Sequence, residues 1–302
     1  MSNCTDITSC IIVANTVFPY WTIIMSTILS MIFTLAIGLS ITYLNGITVS
    51  FLSAMPTGII FALLGIILGS YGKSSYDSDV SNFCHIFPIG LCTSSIMYMI
   101  WPPLYSKMIV KNDRLSKYLM FPLSCAVVIS LWILSTGTIA VIVYYSNMSQ
   151  VSIIVLGLSF ELITLYLSIL IFFIPIKRGK SNGKFDWTLI VKCIIVGIVV
   201  GVCVILDIFT VPIVSGLVGA FPSVKIIVLI HVFYSHDIEL FTNLSYLMAL
   251  GNVSVGAFVL FTYYFSIISH PFVAITAGLI VCMLIFNVPL LLSYSKWGKI
   301  IE

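Results

Sequence analysis

The chain has 302 residues, of which 60% are hydrophobic and 8% are charged, and its formal net charge is +3. Soluble domains contain roughly 45–50% apolar and about 25% charged residues, so this composition excludes a soluble fold. The few charges lie mainly in loops and form no basic patch that could bind nucleic acid. The sequence therefore predicts an integral membrane protein whose main partner is the lipid bilayer.

The apolar residues form runs of about 20 to 28 residues. A membrane-spanning helix needs about 20 such residues, whereas a barrel strand shows about 10 residues of strict alternation. We therefore predict an all-α membrane protein with about nine transmembrane helices. The predicted spans, in chain order, are 21–44, 47–70, 83–105, 118–145, 151–174, 187–210, 213–234, 241–268 and 272–294.

The basic residues predict the orientation of these spans. Nine spans place loops 107–117 and 177–186 and the C-terminal residues 296–302 on one face, and these hold ten of the thirteen Lys and Arg residues. Short loops rich in Lys and Arg stay on the cytoplasmic side. We therefore predict a basic cytoplasmic loop at 177–186, a cytoplasmic C-terminus, and an N-terminal segment, 1–20, outside the cell or in a lumen.

The N-terminal segment contains no Lys or Arg. It lacks the basic region that opens a secretory signal peptide, so we interpret the N-terminus as mature. Asn3 and Asn147 begin Asn-x-Ser/Thr sequons, which in this orientation face the exterior or lumen. Both are predicted glycosylation sites, although Asn147 lies very close to the membrane. The sequence does not distinguish the plasma membrane from an endomembrane.

An internal repeat appears when the sequence is shifted by 166 positions, because residues 21–56 then align without a gap with residues 187–222. Eight of the 36 aligned positions are identical, including a Trp-Thr pair at the start and Ala-x-Pro at the end. Five spans separate the two copies, and an odd number makes them run in opposite directions through the bilayer.

The repeat predicts a domain organisation. Residues 21–145 form the first set of four helices, residues 187–295 the second, and residues 146–176 a linking fifth helix. Inverted repeats of this kind, with helices interrupted near the bilayer midplane, are typical of secondary transporters.

Prolines interrupt both copies at equivalent positions, since Pro56 and Pro222 are each the tenth residue of their span. A proline at that depth removes a backbone donor and disturbs a carbonyl of the preceding turn. The freed polar groups make Pro56, Thr57, Pro222 and Ser223 candidate substrate-binding residues. The alternative is that the prolines kink the helices only for packing.

Two ionisable residues, Lys225 and Glu161, fall near the middle of predicted spans. A charge at this depth costs roughly 3 kcal/mol on insertion scales, so each is a functional candidate. We predict that Lys225, just after Pro222, binds an anionic or zwitterionic small solute or a coupling ion's counter-charge, and that Glu161 takes up a proton. The alternative is a buried Lys225–Glu161 ion pair that only holds helices together.

Small and polar residues also occur within spans. Asn252 begins a sequon but lies inside the eighth span, which makes it a helix-packing or pore-lining residue rather than a glycosylation site. Gly90 and the hydroxyl residues that follow it predict a close helix contact in the third span, and the alternative is that they line a path.

The stretch from Ser215 through Pro222, continuing to residues 249–254, resembles a set of uncharacterised eukaryotic polytopic membrane proteins. The resemblance covers about forty residues and implies no activity or site. The inverted arrangement is also broadly similar to drug/metabolite-type transporters, but those have ten spans as five plus five, and no tenth span is found in this chain.

Other classes of membrane protein remain alternatives to a transporter. A seven-helix chemoreceptor matches the length and the short loops but leaves the repeat unexplained, and a channel or a purely structural role also stays open. A membrane enzyme is not predicted, because the sequence contains no paired intramembrane carboxylates and no GxGD or HExxH motif. The sequence implies no cofactor and no metal, and it does not give the oligomeric state.

Overall fold

The regular structure of the described part of the chain is helical, and no β-strand occurs there. The computed structural model describes residues 76–108, 114–146, 148–172, 219–235 and 238–289, together with isolated residues between 24 and 63 and between 187 and 217. Most of the first, second and sixth predicted spans, both termini and the 177–186 loop lie outside the described residues.

Six helices are described, and we number them in chain order. They are α1 (Tyr76–Met108), α2 (Arg114–Tyr145), α3 (Gln150–Phe172), α4 (Ser223–Ser235), α5 (Ile238–Ile268) and α6 (Pro271–Cys282). The chain then continues from α6 as one π-helical turn, Met283–Asn287, which we call the π turn.

Four of these helices are long and apolar enough to cross a bilayer. Their qualifying segments are Val80–Met108, Leu119–Val143, Gln150–Ile171 and Ile238–Ile268, and two shorter apolar helices, Lys225–Tyr234 and Val273–Asn287, accompany them. In hydrocarbon each backbone polar group must be bonded within the protein, which a helix achieves along its own length. The chain is therefore an all-α integral membrane protein, as the composition predicts.

Helix α1 is antiparallel to α2 and to α5. Along α2, Thr93 contacts Thr136 and Trp101 contacts Ser124. Residue numbers at the contacts therefore increase along α1 and decrease along α2. Along α5, contacts run from Leu91 with Asn252 to Tyr98 with Ser245. Helices α1 and α5 are also the most buried of the four long helices, and together they form the centre of the bundle.

Helices α3 and α4 run parallel to α1. Gly157 of α3 lies against the His85 carbonyl, and Thr164, two turns later, lies near Cys92. The start of α4 lies near Tyr98, whereas Phe233, close to its end, packs on Tyr105. Contacts on α1 therefore advance in the same direction as the numbering of α3 and α4.

Aromatic side chains hold four helices together at the end of the bundle where α1 and α4 finish. The rings of Phe121 on α2 and Phe233 on α4 stack with centroids 3.5 Å apart. Trp101 and Tyr105 of α1 and Phe241 of α5 pack around this pair, mostly edge to face. Such ring pairs stabilise by about 0.5–1.5 kcal/mol each beyond the area that they bury, so this cluster fixes the four helices at that end.

Two helices extend beyond the predicted spans, because a helix can continue outside its apolar segment. Residues 76–82, which precede the predicted third span, form the first turns of α1, where Val80 is buried and His85 Nδ1 bonds to the Ser81 carbonyl at 2.8 Å. Helix α2 begins at Arg114 rather than at residue 118. Helix propensity and backbone bonding continue outside the hydrocarbon, where hydropathy gives no boundary.

The seventh and ninth predicted spans are not uniform helices. The seventh is helical at Gly216, Leu217 and Gly219, leaves the helix at Ala220–Pro222, and resumes as α4. A helix break at Pro222 is therefore confirmed. The ninth begins as α6 but passes into the π turn, which the sequence pattern does not predict.

Candidate functional site

The helix break at Pro222 lies directly against α1. Proline cannot donate the helical hydrogen bond and disfavours helical backbone in the residue before it, so Phe221 and Pro222 are non-helical and α4 starts at Ser223. The break packs so closely on Gly90 that a Cβ there would collide with the Ala220 side chain. The predicted close contact at Gly90 is therefore confirmed.

Lys225, the third residue of α4, reaches across to α5. Its Nζ donates to Asn252 Oδ1 at 2.5 Å and to the Met248 carbonyl at 3.3 Å, and it lies 6.0 Å from the centre of the Tyr98 ring. The first turn of a helix has free N–H groups and a partial positive charge. The Lys225 ammonium adds a second positive group at this position, so the break is a positively charged site within an apolar bundle.

Asn252 is the centre of the polar contacts around Lys225. Its Oδ1 accepts from the lysine, and its Nδ2 donates to the Leu91 carbonyl at 3.2 Å and to Ser95 Oγ at 2.9 Å. Ser95 Oγ in turn donates to the Leu91 carbonyl at 3.0 Å. Helices α1, α4 and α5 are therefore joined by one hydrogen-bonded cluster, Lys225–Asn252–Ser95, which we call the lysine cluster.

Neighbouring hydroxyls of α1 bond to α2 and the break. Ser94 Oγ accepts from Trp132 Nε1 at 2.9 Å and donates to the Gly90 carbonyl at 2.8 Å, with the Ala220 carbonyl oxygen 3.4 Å away. Thr93 Oγ1 and Thr136 Oγ1 lie 2.9 Å apart. Thr93 therefore contacts α2, Ser94 contacts both α2 and the break, and Ser95 contacts α5.

Glu161, on α3, does not pair with Lys225. Both of its carboxylate oxygens are buried and have no hydrogen-bond partner among the described residues. The carboxylate lies against Gly256 of α5, where an added Cβ would collide with it. Gly256 follows Asn252 by one helical turn, about 6 Å along the axis, so Lys225 and Glu161 approach one face of α5 one turn apart. The alternative of a Lys225–Glu161 ion pair is wrong.

The other predicted site residues are placed as follows. Pro222 is buried within the break, and the backbone of Ser223 begins α4. Pro56, Thr57, Asn3 and Asn147 lie outside the described residues. Within the described ranges, no group of three or more His, Cys, Asp and Glu side chains could hold a metal ion.

Sequence reasoning gave Asn252 only a general role in packing or pore lining. Its position inside the eighth span is confirmed, and it is buried. A buried amide at mid-helix in a membrane span requires partners, because hydrocarbon offers none. That signal could have identified Asn252 as a partner for Lys225, but it does not reveal which face of α5 meets α4.

Comparisons of the chain with protein-family models, with curated proteins and with solved structures find no match. The lysine cluster, the helix break and Glu161 are therefore the features from which a function is inferred, and the resemblance of residues 215–254 to polytopic membrane proteins stays a prediction.

Proposed function

We propose that the protein is a secondary transporter of a small anionic or zwitterionic solute and works by alternating access. One observation carries the proposal: the ammonium of Lys225 lies at the start of a half-helix and contacts an amide and a carbonyl but no carboxylate among the described residues. An anion reaching this point would meet both the lysine charge and the free N–H groups of the helix end. Known transporters bind substrate carboxylates at such broken helices.

The positions of two post-proline segments support an inverted repeat. A shift of 166 aligns Ile59 and Leu63 with Lys225 and Leu229. Leu63 is buried in a cluster with Phe83 of α1 and Phe258 of α5, whereas Leu229 lies in a cluster near the other ends of these helices, with Trp101 and Phe241. Equivalent segments on opposite halves of an antiparallel pair are the arrangement expected for two inverted copies.

Exposure of the aligned isoleucines also supports the repeat. Ile28 and Ile194 are helical with side chains 45% and 46% exposed, and Ile32 and Ile198 are 55% and 56% exposed. Aligned positions of the two copies therefore share an outward, lipid-facing orientation.

Helix directions support the predicted span 187–210. Helix α3 and the segment from Gly216 through α4 both run parallel to α1, and Gly216 packs against Phe83 near the start of α1. These directions require an odd number of crossings between Phe172 and Gly216, and the predicted span 187–210 would supply one. Reporters fused to the C-terminus and to the 177–186 loop should both be cytoplasmic, and opposite locations would contradict this topology.

Glu161 completes the proposal as the residue that takes up a proton. A carboxylate without a cationic or hydrogen-bonding partner is costly to keep ionised in an apolar interior. Its position, one turn along α5 from the lysine cluster, would couple proton uptake to solute binding through a shared helix face.

Transport by Lys225→Met tests the proposed site. Purified protein in proteoliposomes is screened with radiolabelled small carboxylates and amino acids, under an imposed pH gradient. Uptake found with the native chain should fall at least tenfold in Lys225→Met and stay unchanged in Lys107→Met, an exposed lysine at the end of α1. Native uptake by a correctly inserted Lys225→Met protein would remove Lys225 from the site.

A further inference from the structure

A cleft of about 170 Å³ lies between α3, α5 and the π turn. It lies near the middle of α5, and none of its lining residues belongs to the lysine cluster. Its lining is mainly apolar and includes Leu165 and Ile169 of α3, whose side chains are exposed at the surface of the bundle. A molecule dissolved in the hydrocarbon could therefore enter the cleft from the side.

Two serines in the cleft have buried hydroxyls without a partner. Most hydroxyls on the described helices bond to a carbonyl three or four residues earlier, as Ser159 Oγ does with Val155 at 2.7 Å. Ser168 Oγ and Ser254 Oγ are buried and bond to no described residue, not even within their own helices. A hydroxyl without a partner is costly in hydrocarbon, so both serines are available to a ligand.

The π turn adds an amide to the same cleft. Asn287, its last residue, is 2% exposed, and its Nδ2 contacts Met283 Sδ at 3.0 Å. Thioether sulfur is a weak acceptor, so this amide is poorly satisfied by the protein alone. A π turn shifts the side chains that follow it around the helix axis, and such turns are frequent at functional sites.

We propose that this cleft binds a small amphiphile with a hydroxyl head group, which hydrogen-bonds to Ser168, Ser254 and Asn287 while its apolar body contacts Leu165 and Phe286. An apolar protein cavity of 150 Å³ accepts benzene, so a cleft of about 170 Å³ accommodates a body of that size with a hydroxyl. The site is separate from Lys225, and it does not depend on whether the protein transports a solute.

Photolabelling of the full chain in liposomes tests the proposal. The probes are an eight-carbon alkanol with a mid-chain diazirine and the corresponding hydrocarbon diazirine without the hydroxyl. Mass spectrometry should place the alkanol on peptides containing 165–169 and 250–254. One hydrogen bond in a membrane is expected to favour the alkanol roughly threefold, and two nearly tenfold, over the hydrocarbon.

Variants and a competition experiment distinguish binding through the alkanol hydroxyl from non-specific labelling of the lipid-facing surface. Ser168→Ala with Ser254→Ala should reduce alkanol labelling toward the hydrocarbon level, with the Asn287 amide as the remaining partner, whereas Ser159→Ala, on the exposed face of α3, should leave it unchanged. Excess unlabelled octanol should suppress the labelling of the native chain, which needs no variant to fold. Equal labelling by both probes, or labelling that persists undiminished in the double variant or against octanol, would overturn the proposal.

Discussion

The bond between Lys225 and Asn252 gives a prediction that can be measured without knowing the transported solute. Replacing Asn252 with Leu removes two neutral hydrogen bonds, to Leu91 and Ser95, and one bond from the lysine. Neutral bonds between membrane helices contribute about 0.6 kcal/mol each, and a bond to a charged group about 1.5–3 kcal/mol. The free energy of unfolding should therefore fall by about 3–4 kcal/mol.

The same substitution should cost much less when the lysine is already absent. In a Lys225→Met background, Asn252→Leu removes only the two neutral bonds, so the loss should be about 1 kcal/mol, because no buried ammonium remains without a partner. The double-mutant cycle therefore predicts a coupling of about 2 kcal/mol. Unfolding in mixed micelles, followed by circular dichroism as the SDS fraction rises, measures all four proteins.

A control pair distinguishes this coupling from a general effect of weakened helices. Ser124 lies on α2 and accepts from Trp101 Nε1 at 3.1 Å, with no contact to the lysine cluster. Ser124→Ala and Lys225→Met should be additive within about 0.5 kcal/mol, as distant sites usually are. If Asn252→Leu and Lys225→Met are additive within the same limit, the lysine cluster does not contribute the stability assigned to it.

Two further predictions concern helix contacts. Gly157→Ala should lower the free energy of unfolding by about 1–3 kcal/mol, because the added methyl collides with the His85 carbonyl. Gly137→Ala is its control, since no atom lies within 4 Å of the position of that Cβ, and a loss equal to that of Gly157→Ala would contradict the packing argument. Trp132→Phe should cost about 0.6–1.7 kcal/mol by removing the bond to Ser94, and a Ser94→Ala background should reduce that cost, since only the longer contact of Trp132 Nε1 with the Gly90 carbonyl, at 3.4 Å, remains. Both are read in the same micelle unfolding experiment.

Local signals made some features predictable from the sequence alone. The break at Pro222 is favoured by the missing N–H of proline, but α1 and α2 continue through Pro88, Pro102, Pro103 and Pro122, so a proline marks a candidate position for a break and does not alone produce one. The position of Lys225 beside this break, and the presence of Asn252 within a helix, follow from residue order and hydropathy. These features require no knowledge of which helices meet.

Features that depend on how helices are rotated against each other were not predictable. Hydropathy places Lys225 and Glu161 at similar depths, and for that reason an ion pair was the natural alternative. The structure instead turns Lys225 toward Asn252 and Glu161 toward Gly256. The π turn at Met283–Asn287 was unpredictable for a similar reason. Its sequence is mainly apolar, and its π-helical backbone conformation depends on packing against other helices.

The contact between Ser95 and Asn252 has a consequence for synthesis, since the two residues are 157 positions apart in the chain. At roughly 5–20 residues per second, α5 follows α1 into the membrane between about 8 and 30 s later. During that interval the hydroxyls of Ser94 and Ser95 can still donate to the Gly90 and Leu91 carbonyls of their own helix. These intrahelical bonds therefore keep the two hydroxyls of newly inserted α1 hydrogen-bonded in the lipid until α5 arrives.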